Sequence, residues 1–137
     1  MKNIIIKKTS IIKNKNGNLV KFVSAKDFKK NWKFGELYLS SINKNSIKGW
    51  HYHKLQTSCV FVLLGKVKFV VSKKGDNFKS FILTMKNKKI IIISPKTWYA
   101  FKGYGKENYI VNLSNKIYSK KNSIKKNINE FKYKWIN

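Results

Sequence analysis

Residues 47–70 read IKGWHYHKLQTSCVFVLLGKVKFV. Residues alternate faces along a β-strand, so positions two apart point the same way. Read as a strand, the stretch puts His51 and His53, the only histidines of the chain, on one face and turns Tyr52 to the other. An apolar, β-rich run follows and is broken at Gly65. Two imidazoles converging from one strand are the most distinctive chemistry in the sequence.

Short β-rich segments lie on both sides of this stretch. Residues 3–12 are rich in isoleucine and lysine, and Asn16-Gly17 is a hairpin-type turn signal ahead of a returning strand over 19–24. After a polar connection over 26–32, the run GELYLSSI at 35–42 alternates, with Glu36, Tyr38 and Ser40 on one face and Leu37 and Leu39 on the other. Downstream, the spacing predicts strands over 58–64, 66–72, 77–85 and 109–113. The isoleucine run at 90–93 reads as a strand buried on both faces, stopped by Pro95. Ile124, Ile128 and Phe131 stand at roughly helical spacing in the lysine- and asparagine-rich end, which predicts a short helix or tail packed on the rest. About eight to ten short strands with frequent turns make an all-β sandwich or barrel.

With 137 residues the chain is long enough for one domain with a real core. Apolar residues make up 42% of it, so the high charge does not imply disorder. The 31 basic residues oppose five acidic ones for a formal charge of +26, and every basic residue is a lysine. Readers of nucleic-acid sequence rely on arginine's planar fork, so solvated surface lysines explain this charge and a nucleic acid is not the expected partner. The single cysteine, Cys59, excludes an internal disulfide and reads as a small buried hydrophobe. The start MKNIIIKKTS lacks the apolar core of a signal peptide. No apolar stretch reaches the ~20 residues of a membrane span, so a cytoplasmic protein is expected.

The spacing GWHYHK, with Gly65 downstream, resembles the first motif of the cupin family of jelly-roll barrels. That motif follows its two histidines with a glutamate, and the matching position here is Ser58. The family's second motif brings another histidine just after a proline turn; the matching stretch ISPKTWYAFK at 93–102 carries Tyr99 instead. First-row metals in such barrels want three or four nitrogen or carboxylate ligands. Two histidines without the carboxylate or the third imidazole argue against a metal, and no cofactor is expected. The resemblance implies an all-β fold, a single cupin jelly-roll barrel over residues 1–137 with a short C-terminal helix or tail.

Within the cupins the chain is similar to the dTDP-4-dehydrorhamnose 3,5-epimerase family of sugar-nucleotide enzymes. The stretches that carry the likeness are Gly35-Glu36-Leu37-Tyr38, residues 48–54 (KGWHYHK), Gly65-Lys66-Val67, residues 95–101, and Tyr118-Ser119 ahead of Tyr133-Lys134-Trp135. What the likeness implies is metal-free proton abstraction next to a sugar ketone, with His51 as the base. The family pairs its base with a carboxylate from the C-terminal segment. Here that region reads IKKNINEF at 124–131 and leaves only Glu130. The family's proton-donating tyrosine falls on Asn112, and an amide is no general acid at neutral pH. Tyr99 and Tyr38 are the replacement candidates, although aromatics inside a barrel also simply fill it. Lys48 stands where the family has an arginine and is the expected partner of a pyrophosphate. His53, Glu36, Asn112, and the apolar faces of Trp50 and Phe101 are the further expected substrate contacts.

The expected activity is therefore epimerisation or isomerisation of a dTDP-linked 4-keto-6-deoxyhexose in deoxysugar biosynthesis. The neighbouring reading is a dTDP-sugar 3,4-ketoisomerase, whose family shares the HxHK strand. Loss of the acid and of the carboxylate partner motivates a different class, a non-catalytic cupin that binds a sugar nucleotide or another anionic small molecule. Family resemblance also implies a homodimer, consistent with an apolar N-terminal edge strand that a partner would cover.

Overall fold

The computed structural model describes residues 4–136. Twelve strands are present among them: β1 (Ile4–Lys8), β2 (Ile11–Ile12), β3 (Leu19–Val20), β4 (Glu36–Ser41), β5 (Ile47–His53), β6 (Ser58–Leu64), β7 (Lys66–Ser72), β8 (Lys79–Thr84), β9 (Lys89–Ile93), β10 (Trp98–Gly103), β11 (Tyr109–Ser114) and β12 (Ser123–Lys125). Two five-stranded sheets, ordered β1-β9-β6-β11-β4 and β12-β5-β10-β7-β8, form the expected all-β jelly roll. Their strand pairs are antiparallel, and β2 and β3 form a separate short ribbon. Asn3, the start of the predicted first strand, lies outside the described residues. No helix among the described residues is long and apolar enough to cross a membrane.

Period-2 alternation sorts the core. Val60 and Val62 of β6, Phe69 and Val71 of β7, Ile91 and Ile93 of β9 and Ile110 of β11 meet in the main buried cluster. Their neighbours Cys59, Phe61, Ile90, Ile92 and Val111 belong to a second cluster, covered by Phe22, Val23 and Phe28 from the connection before β4. The isoleucine run is thus buried on both faces, as its lack of polar residues predicts. A third cluster covers the other face of the second sheet: Trp50, Val70, Trp98 and Ala100 pack under Ile128, Phe131, Tyr133 and Trp135.

That third cluster decides between the helix and the tail expected for the C-terminal segment. The segment is an extended tail with single 3-10 turns at Lys120–Asn122 and Ile128–Glu130, and no α-helix. Phe131, Tyr133 and Trp135 repeat every second residue, which suits an extended chain laid across an aromatic patch better than a 3.6-residue period. β12 pairs with β5, and the Trp50–Lys126 backbone exchange (N–H to carbonyl, 2.9 and 3.0 Å) extends that pairing beyond Lys125.

One irregularity places the site. On β5, His51 pairs with Tyr99 of β10, but Lys48 pairs with Phe101, three residues back on β5 against two forward on β10, so β5 holds an extra residue at Gly49–Trp50. Gly49 has φ +135°, and a Cβ there would sit 2.5 Å from the Ala100 Cβ, so only glycine fits. The bulge brings Lys48 to the face of His51 despite their odd spacing. Trp50 stays on the opposite face.

Candidate active site

A cavity of about 260 Å³ lies between the two sheets. β5 supplies Lys48, His51 and His53 to its wall, β10 supplies Tyr99 and Phe101, β4 supplies Tyr38 and Ser40, and β11 supplies Asn112; Tyr118 reaches it from the loop after β11. Tyr38 and Ser40 face inward because they share a strand face, while Leu37 and Leu39 turn out to solvent.

The two histidines differ sharply. Neither ring nitrogen of His51 has a hydrogen-bond partner among the described residues, and its ring lies 5.3 Å from that of Tyr99 and 6.4 Å from that of Phe101. Burial, aided by the positive charges of Lys125 and Lys48, pushes its pKa down to about 4. The ring is therefore neutral at neutral pH, with a lone pair free to accept a proton. His53 has both nitrogens engaged: Nδ1 is 3.0 Å from Ser123 Oγ, and Nε2 is 3.2 Å from the Tyr99 hydroxyl. Burial lowers its pKa too.

Tyr99 is buried, and burial raises its pKa. Tyr38 is also raised, by burial and by the Glu36 carboxylate, so both phenols keep their protons across neutral pH. Asn112 stands directly across the β4–β11 ladder from Tyr38, and its Oδ1 is buried without a hydrogen-bond partner. Phe101 stacks on Phe69 at 4.9 Å and forms an apolar floor.

Most of the residues expected from sequence converge here: His51, His53, Tyr99, Tyr38, Lys48, Asn112 and Phe101 all line the cavity. Lys48 spends one donor on the Ser41 carbonyl at 2.6 Å. Glu36 shares the strand face but not the wall; its carboxylate accepts from the Tyr118 N–H at 2.7 Å and so holds a wall residue. Trp50 is a correction. It is 0% exposed, turned to the outer face, and its Nε1 donates to the Ile128 carbonyl at 3.1 Å, so it offers no stacking surface to a ligand. Strand alternation carried this signal, since Trp50 is one residue from His51.

Glu130 is a second correction. Its carboxylate caps its own turn by accepting from Asn127 N–H at 2.9 Å and lies 3.5 Å from Lys126, so it does not orient His51. The residue paired with His51 on β12 is Lys125. Lys125 and Ser123 were missed because nothing in the sequence announces that β12 pairs with β5.

A metal does not fit these residues. His53 has no nitrogen left for coordination, Ser58 is buried and accepts from Gln56 Nε2 at 2.8 Å, and no group of three or more His, Cys, Asp or Glu gathers among the described residues.

The model of the family described as FdtA: WxcM-like, C-terminal, matches residues 2–135. No curated protein sequence matches this chain. Among solved structures the chain is similar to a dTDP sugar isomerase from Desulfovibrio desulfuricans G20, with TM-score 0.82 and 18% identity over 96% of this chain and 90% of that one. It is similar to the 3,5-epimerase RmlC from Legionella pneumophila Philadelphia 1 in complex with dTDP-4-keto-L-rhamnose, with TM-score 0.84 and 18% identity over 94% of this chain and 75% of that one. It is also similar to the sugar 3,4-ketoisomerase QdtA from Thermoanaerobacterium thermosaccharolyticum in complex with TDP, with TM-score 0.77 and 21% identity over 89% and 87%. At these identities the likenesses establish the shared cupin jelly-roll fold.

Proposed function

This chain belongs to the FdtA, WxcM-like C-terminal family, and from that premise we propose that it isomerises a dTDP-linked 4-keto-6-deoxyhexose by metal-free proton transfer. The observation that carries the reading is His51: a neutral, unpartnered imidazole on the wall of a cavity between the two sheets. Such a ring takes the proton from the carbon beside the ketone, where the developing charge spreads onto oxygen. Lys48 and Lys125 make its surroundings positive, which suits a diphosphate-bearing substrate. The similar solved structures bound to TDP and to dTDP-4-keto-L-rhamnose support the substrate class.

The 3,4-ketoisomerase reading has its own support. The chain covers 90% and 87% of the two isomerase chains but 75% of the epimerase, and it carries an amide where the epimerase family has its proton-donating tyrosine.

Residues 1–137 act on this reading as one cytoplasmic domain that pairs as a homodimer. β4, β6 and β11 are adjacent and contain no lysine, unlike every strand of the second sheet. On β4 the outward Leu37 and Leu39 are 61% and 59% exposed. For a chain of charge +26, a lysine-free apolar face is where a second copy can approach.

The deciding experiment incubates the protein with dTDP-4-keto-6-deoxyglucose in D₂O. Deuterium is expected at the carbon beside the ketone, and His51→Ala is expected to abolish its incorporation while the fold is retained. Binding without any incorporation would identify a non-catalytic sugar-nucleotide cupin instead.

A further inference from the structure

A short chain of hydrogen bonds runs from the C-terminal segment to the cavity wall, and proton counts give its direction. The turn at Lys120–Asn122 sets the Ser119 carbonyl, which accepts from the Asn122 N–H at 3.1 Å and from the Ser123 hydroxyl at 2.8 Å. A hydroxyl has one proton, so toward any other neighbour the Ser123 oxygen only accepts. That neighbour is His53: the two residues pair across the β5–β12 ladder, with Oγ 3.0 Å from Nδ1. The ring proton therefore sits on Nδ1 and leaves Nε2 a bare acceptor. The Tyr99 hydroxyl, 3.2 Å from Nε2, donates to it.

Each link fixes the next. A neutral imidazole in water favours the proton on Nε2, so the other form needs a partner on the Nδ1 side that can only accept. Behind the ring lies a second pocket of about 60 Å³, lined by Gln56, Ser119, Asn122 and Ser123 as well as His53. Without the Ser123 oxygen, Nδ1 would face that pocket, and the ring would be free to carry its proton on Nε2 and donate to Tyr99. The phenol proton would then turn to the cavity that Tyr99 lines. One hydroxyl on the tail thus sets whether the phenol offers the cavity a proton or a lone pair.

We propose that Ser123 is a positioning residue: it holds His53 in the Nδ1–H form and so makes the Tyr99 hydroxyl a hydrogen-bond acceptor toward whatever occupies the cavity. Tyr99 is then no acid for a bound sugar, in spite of its place on the wall. The tail that covers the Trp50 cluster also sets the polarity of a cavity residue, because Ser119 and Ser123 belong to the same segment. The turnover arm of the test rests on the keto-sugar reading above; the assignment of the ring proton does not.

The test reads the ring directly. Long-range proton–nitrogen NMR correlation at neutral pH distinguishes a protonated from a bare ring nitrogen, and the chain has only two histidines to assign. Wild type and Ser123→Thr are expected to show His53 with Nδ1 protonated and Nε2 bare, and Ser123→Val to show the reverse. His51, which pairs with Lys125 rather than Ser123, is the internal reference. In D₂O with dTDP-4-keto-6-deoxyglucose, Ser123→Val is expected to slow deuterium incorporation at least about fivefold, the worth of one buried acceptor, and Ser123→Thr to restore it. Tyr99→Phe is expected to slow it by less than about 10²-fold, the least that a positioned acid supplies. A wild-type His53 protonated on Nε2 overturns the proposal even if a variant fails to fold. A Ser123→Val ring unchanged from wild type overturns it too, as does a larger loss in Tyr99→Phe. If wild type binds the sugar without exchange, the isomerase reading fails while the ring spectra still decide the role of Ser123.

Discussion

Lys125 stands directly across the β5–β12 ladder from His51, on the strand that the family likeness expects to bring a carboxylate to the base. With a cation there, His51 has no partner to steady an imidazolium, and its pKa is lowered by burial first and by Lys125 next. The base is kept neutral, which favours readiness to accept a proton over strength in holding it.

Replacing that cation tests the arrangement directly. Lys125→Asp is expected to raise the titration midpoint of His51 by at least about one unit, because an opposite charge within a few ångströms favours the charged ring. The chain has only two histidines, so NMR titration resolves them. A midpoint that does not move would show that Lys125 is too far away to act on the ring.

The same shift predicts an acid weakness. The folded ring titrates near 4 and the free ring at 6.5, so between these values the unfolded chain holds a proton that the folded chain refuses. Stability from this ring is thus fully present above about pH 6.5 and is lost as pH falls toward about 4. The loss is at most about 3 kcal/mol, trimmed by solvent at the cavity mouth. Urea unfolding at pH 7 and pH 4.5 should show a smaller acid loss for His51→Gln than for wild type; equal losses count against it.

Trp50 separates scaffold from site. Trp50→Ala is expected to cost about 3–5 kcal/mol, because it empties the centre of the aromatic cluster under the C-terminal tail. Trp50→Phe keeps most of that packing and should bind dTDP as wild type does. A folded Trp50→Phe protein with weakened dTDP binding would return Trp50 to the ligand site.

The lysine-free face gives a prediction about assembly. Leu37→Lys combined with Leu39→Lys places charge on the outward side of β4 without touching Tyr38, which faces the other way. Sedimentation is expected to show a dimer for wild type and a monomer for the variant. A wild-type monomer, or a variant dimer, removes that face as the interface.

How much of this was legible beforehand follows from the range of each interaction. Alternation along single strands placed His51 with His53, Tyr38 with Ser40, and Leu37 with Leu39, because the two-residue repeat is a local property of extended backbone. It also assigned Trp50 to the outer face, and the attraction of an aromatic platform obscured that signal. The C-terminal segment stayed open between helix and tail because Ile124, Ile128 and Phe131 fit a helix, while the Phe131, Tyr133 and Trp135 repeat that prevails needs the patch around Trp50 to be rewarding.

An all-β fold and the shared face of the two histidines follow from local alternation along the chain. The roles of the histidines follow from long-range packing. Lys48 joins His51 through an extra residue set by close packing of Gly49 against Ala100, and Lys125 and Ser123 reach the histidines through a strand pairing some 70 residues distant in sequence. Asn112 meets Tyr38 across another such ladder. Register between distant strands depends on how whole faces pack, and no local pattern encodes it.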